Sequence, residues 1–143
     1  MSAPRPVLKS EIASYHAHVY FDTRDAAQMA KANALHGWIS ERFPVQIGHL
    51  GTRVGGPHPL PMFEVAFDTA TFASLVPWLM LNHQGLSVLI HPNTDNMRDD
   101  HLVNPLWLGP QLELRGAGMP TSLRAMGQLQ PPIVINTAPT KSV

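Results

Sequence analysis

Residues 14–22, Ser14-Tyr15-His16-Ala17-His18-Val19-Tyr20-Phe21-Asp22, alternate in a way that predicts a β-strand over about 12–21. Successive side chains of a strand point to opposite faces. Tyr15, Ala17, Val19 and Phe21 therefore share an apolar face, and His16, His18 and Tyr20 share the other. Asp22 or Thr23 can cap a helix over 24–42, with Ala26, Met29, Ala30 and Trp38 as its buried stripe. Pro44 ends it, and 45–50 reads as a short edge strand. The stretch GTRVGGPHPLP over 51–61 is too rich in Gly and Pro for a regular element. A third strand over 62–67 puts Phe63, Val65 and Phe67 on one side and Glu64 on the other. Asp68 or Thr69 caps a second helix whose Phe72, Leu75, Val76, Leu79 and Met80 follow the helical period. Pro77 kinks that helix or marks the start of its main segment, and Gly85 suits its end. Residues 86–91 form a fourth, nearly all-apolar strand; 92–101 is a polar loop, and 107–114 hold a short closing element.

The order β-α-β-β-α-β predicts an α+β, ferredoxin-like sandwich: an antiparallel sheet in the order four-one-three-two, with two helices on one face. Residues 1–11 read as a mobile N-terminal arm, 12–115 as the folded domain, and 116–143 as an extended Gly/Pro-rich tail. The topology makes the histidines informative. Strand four runs antiparallel to strand one, which sets His91 near His16. Strand three runs antiparallel on the other side, which sets Glu64 near His18. Opposed residues have Cβ atoms about 5 Å apart. His16, His18, Glu64 and His91 then form a ligand set for a non-haem Fe(II) ion, and zinc or another divalent metal would accept the same groups. Tyr20 stands on that face for substrate contact. His58 and His101 come from loops able to fold over it, which suits acid–base work or an alternative ligand role. His36, His49 and His83 read as surface or structural.

Composition narrows the chemistry. Ten basic and ten acidic residues cancel, and no basic block is present, so nucleic acid is not an expected partner. No apolar run reaches membrane length, and no apolar segment follows the N-terminal residues; the expectation is a cytoplasmic protein with neither membrane span nor signal peptide. With no cysteine, any metal must be held by nitrogen and oxygen. Eight histidines is about twice ordinary usage in a chain that is only 14% charged.

Several motifs carry a family resemblance. They are SYHAHVYF over 14–21, GPHP over 56–59, MFEV over 62–65, VPWL over 76–79, LSVLIHPNT over 86–94 and Asp100-His101. In this order and spacing the chain resembles the DOPA 4,5-dioxygenase family of small fungal and bacterial proteins, over about 12–114. The resemblance implies a ferredoxin-like fold and extradiol cleavage, by dioxygen, of catechols such as 3,4-dihydroxyphenylalanine. The family's histidine motifs fall on His16, His18, His58, His91 and His101. On this reading His58 or His101 moves protons, and Arg53 in the Gly-rich loop pairs with a substrate carboxylate. The residues after Arg115 depart from the family pattern. Two other readings use the same residues: a zinc-dependent hydrolase or lyase, and a non-catalytic metal- or small-molecule-binding module. A homodimer suits the fold and the tail.

Overall fold

The computed structural model describes residues 2–143. Its regular elements are β1 (Ser14–Tyr20), α1 (Ala26–Arg42), β2 (Gln46–Ile47), β3 (Met62–Phe67), α2 (Thr69–Asn82), β4 (Val88–Asn93), α3 (Met97–Leu102) and β5 (Leu106–Leu108). The sheet is antiparallel in the order β2-β3-β1-β4-β5. The expected four-strand order is present, and β5 extends it beyond β4. No helix among the described residues is long and apolar enough to cross a membrane.

One sheet face carries Ala17, Val19, Phe63, Val65, Val88 and Ile90, which join Leu35, Ile39, Leu75 and Leu79 of the two long helices in one buried core. The stripe of α1 differs from the expected one. Ala32, Leu35 and Ile39 are buried, while Ala26 and Ala30 are exposed. The helix starts later than the Asp22 cap would set it: Asp25 is the cap and accepts from the N–H groups of Ala27 and Gln28, whereas Asp22 is taken by Arg24. In α2, Asp68 accepts from Thr71 N–H, and the helix continues through Pro77. Met80, assigned to the core stripe, is 59% exposed.

Past strand four the polar loop divides into strand and helix. β4 runs on to Asn93, and residues 97–102 form α3, capped by Asn96 on Asp99 N–H. A helix this short shows no apolar period in sequence. Pro92 is tolerated in β4 for a reason of register. Ala13 N–H donates to Asn93 O and Tyr20 N–H to Ser87 O, so odd-numbered residues of β4 bond to β1. Pro92 turns its nitrogen to the opposite side, where β5 has already ended at the Ile90–Leu106 pair.

The C-terminal chain lies along the edge of β2. Asn136 N–H donates to Val45 O at 3.1 Å, Asn136 Oδ1 accepts from Ile47 N–H at 2.9 Å, and Val134 N–H donates to Gln46 Oε1 at 2.9 Å. At the other end, residues 9–11 form a 3-10 turn, and Glu11 pairs with Arg124 at 3.6 Å.

Candidate metal centre

β1 lies between β3 and β4, so its polar face has a neighbour on each side. The register pairs His16 with His91, and His18 with both Leu89 and Glu64. The side-chain tips lean along the strands and exchange partners. His18 Nε2 lies 3.1 Å from His91 Nε2, and Glu64 Oε1 lies 2.9 Å from His16 Nε2 rather than on His18. Two further imidazoles come from outside the sheet. Gly56, with φ +56°, turns the loop so that His58 sits over β1, its ring 4.3 Å from that of His18. α3 brings the His101 ring to 4.0 Å from that of His91. That helix is anchored by Asp100, almost wholly buried, which accepts from the N–H and the hydroxyl of Thr94, both at 2.7 Å.

The polar face is therefore roofed. His91 is 0%, His18 3%, His58 6% and His101 8% exposed, and Trp107 of β5 stacks on Tyr20 at 6.0 Å. Arg115 N–H donates to Pro57 O at 2.8 Å, joining the segment after β5 to the loop that carries His58.

Burial disfavours charged imidazolium. It is the main cause that holds His18 well below the usual histidine range, His58 down to about 4 and His91 down to about 2; neighbouring histidines add to it. His101 is lowered by burial as well. Glu64 is held below the usual carboxylate range, chiefly by its hydrogen bond from His16. Tyr20 is pushed up by burial and stays a neutral phenol. At neutral pH His18, His58, His91 and His101 are uncharged imidazoles and Glu64 is an ionised carboxylate, the protonation state metal ligands require.

The hydrogen-bond partners fix which nitrogens carry protons. A carbonyl oxygen only accepts. His91 Nδ1 faces Pro92 O at 2.8 Å and His101 Nδ1 faces Met97 O at 2.9 Å; both donate there, and both Nε2 atoms are bare lone pairs. One proton then lies between His18 and His91, supplied by His18, and one between His16 and Glu64, supplied by His16. A divalent cation can replace both. Displacing the first moves the His18 proton to Nδ1, where Met62 Sδ waits at 3.4 Å. Two groups of three histidines have ligand nitrogens all within 4.8 Å of one another and could hold a metal ion: His16, His18, His91 and His18, His58, His101. Glu64 falls outside both groups but touches the first through His16. The donor set fits a metal of borderline hardness.

Tyr20 holds a different place from that expected. It is 1% exposed, and its hydroxyl lies 2.6 Å from His58 Nδ1. Among the described residues no other acceptor meets the hydroxyl. The phenol therefore donates to Nδ1, and neutral His58 carries its own proton on Nε2. Arg53 is exposed and lines a cavity of about 440 Å³ with His58, Met62 and Glu64. Sequence reasoning missed Met62 and Trp107, whose apolar side chains give no chemical signal, and the Asp100–Thr94 brace.

A profile of the Dopa 4,5-dioxygenase family matches residues 15–117. The chain belongs to this family. It is 32% identical over 120 residues to a DOPA 4,5-dioxygenase of Amanita muscaria, covering 80% of this chain and 53% of that protein. It is 34% identical over 110 residues to an uncharacterized 21.2 kDa protein of Botryotinia fuckeliana, covering 71% of this chain and 60% of that one. The chain thus spans little more than half the length of these curated relatives. A crystal structure from Nostoc punctiforme, described as a "putative dioxygenase", superposes with a TM-score of 0.73 at 44% identity, over 77% of this chain and 93% of that one. The superposition on this neighbour agrees with the ferredoxin-like arrangement.

Proposed function

We propose that the protein is an extradiol ring-cleaving dioxygenase of catechols such as 3,4-dihydroxyphenylalanine, working with a non-haem Fe(II) ion held by His16, His18, Glu64 and His91. The observation that carries the reading is the convergence of five buried or half-buried imidazoles beside a cavity large enough for one aromatic ring. The metal, when bound, supplies Lewis acidity and one-electron chemistry that dioxygen needs to react with an aromatic diol.

The protein's own groups divide the proton work by tautomer. His101 offers a bare Nε2, since its Nδ1–H is committed to Met97 O. It is the base that takes a catechol hydroxyl proton. His58 offers an N–H from Nε2, since Tyr20 occupies its Nδ1. It donates a hydrogen bond to negative charge that develops on a substrate oxygen. The His58 loop and the segment after β5 cover His18, His91 and His101, which are almost wholly buried.

Oxygen uptake by anaerobically purified, iron-reconstituted protein tests this reading. The expected result is one dioxygen consumed per catechol, with a ring-opened product heavier than the substrate by one dioxygen. Turnover of any substrate that proceeds equally well without dioxygen would overturn it.

A further inference from the structure

We infer that the cavity beside the histidines selects catechols whose side chain ends in a carboxylate and carries no ammonium group. This rests on the ring-cleavage reading for where the diol sits, and on the cavity's own lining for the rest. The cavity, about 440 Å³, is lined by buried His58, half-buried Met62 and Glu64, and exposed Arg53 of the Gly-rich loop. That loop lies directly on β3: a Cβ on Gly51 would meet Met62 O at 2.9 Å, so no side chain stands between the strand and the loop there. His49 adds an imidazole to the same lining.

The distribution of charge is one-sided. Arg53 has no carboxylate within ion-pair reach among the described residues. A second exposed arginine, Arg115, is tied to the same loop through Pro57 O and has no acidic partner either. The one acid in the lining is Glu64, and it is already bound to His16 at 2.9 Å. Glu113 lines a separate cavity with His101 and Trp107. A catechol with its diol at the histidine end presents the end of its side chain to Arg53. A carboxylate there accepts from the planar guanidinium fork. An ammonium group meets a like charge and finds no free acid. An amino acid carries both groups and gains less than the plain acid, and an amine gains nothing.

Calorimetric titration of anaerobic protein with 3-(3,4-dihydroxyphenyl)propanoate, 3,4-dihydroxyphenylalanine and dopamine tests the inference without turnover. The propanoate is expected to bind tightest and dopamine weakest. Arg53→Ala should weaken the propanoate about tenfold and tighten dopamine slightly by removing the like charge, and Arg53→Lys should recover part of the propanoate loss. The residue is exposed, so both variants are expected to fold. Amino-acid binding as tight as the propanoate, or a ranking untouched by Arg53→Ala, overturns the proposal. If the ranking holds but none of the three catechols supports oxygen uptake, the carboxylate site stands and the ring-cleavage reading fails.

Discussion

His18 is engaged at both ring nitrogens, with His91 on one side and Met62 on the other. It also belongs to both histidine groups able to hold an ion. His18→Ala should therefore lower metal content more than about tenfold, since even outer partners of a ligand are worth that much. Elemental analysis together with an unchanged far-ultraviolet circular dichroism spectrum checks this, and retained metal would remove His18 from the centre. The same buried imidazoles set a pH dependence for the metal-free protein. In the unfolded chain each takes a proton near the ordinary value of about 6.5. In the folded chain His18, His58, His91 and His101 are all held lower. Above about pH 6.5 neither state is protonated and these groups cost nothing. As pH falls, the unfolded chain binds protons first, so stability declines from there toward the folded values, about 4 for His58 and about 2 for His91. Urea midpoints of metal-free protein should drop between about pH 7.5 and pH 5, and the drop should shrink in the His58→Gln, His101→Gln double variant. A flat midpoint across that range contradicts the burial of these rings.

At the scale of elements, α3 has no apolar stripe to hold it and depends on polar contacts. Asp100 accepts two hydrogen bonds from Thr94, and burial raises its pKa despite them. Asp100→Ala leaves the Thr94 N–H and hydroxyl without their acceptor, a loss of about 1–3 kcal/mol. It also frees the helix that carries His101. The expected outcome is a lower thermal midpoint and a fall in kcat that exceeds any fall in metal content, because the proposed ligands sit on β1, β3 and β4. Parallel loss of metal and activity would instead place α3 in metal binding. This element was the least legible in sequence. Its residues read as a turn-rich loop because Asn96, Asp99 and Asp100 favour local hydrogen bonds, and six residues are too few to show a helical period. β1, β3 and α2 were legible because each buries an apolar set at the period its backbone imposes, whereas α1 was legible as a helix ended by Pro44 but not in its buried stripe.

Across the whole molecule, the C-terminal chain covers one edge of the sheet and β5 forms the other. Removing residues 131–143 exposes the backbone of β2 and deletes the bonds from Val134, Asn136 and Thr140. Each is worth about 1 kcal/mol net, so a loss on the order of 2 kcal/mol or more is expected in urea unfolding. An open edge strand also pairs with other chains, so light scattering should show concentration-dependent association of the truncated form. Full-length stability in the truncated protein would mean that the tail contributes nothing to the edge.

Alternation along β1 determined which side chains would face away from the helices, and the order of elements determined that His91 and Glu64 would flank that strand. Those conclusions follow from the two-residue period of a strand and from the antiparallel pairing the topology imposes. Only the tertiary structure decided which tips touch. Side chains lean across the register, so Glu64 meets His16 and His18 meets His91, although the backbone pairs them the other way. It also decided that His58 and His101 close over the face and that Tyr20 holds His58 from below. A loop's path depends on where its backbone hydrogen bonds and buried anchors fall, such as Arg115 on Pro57 and Asp100 on Thr94. Those partners are distant in the chain or silent in its hydrophobic pattern.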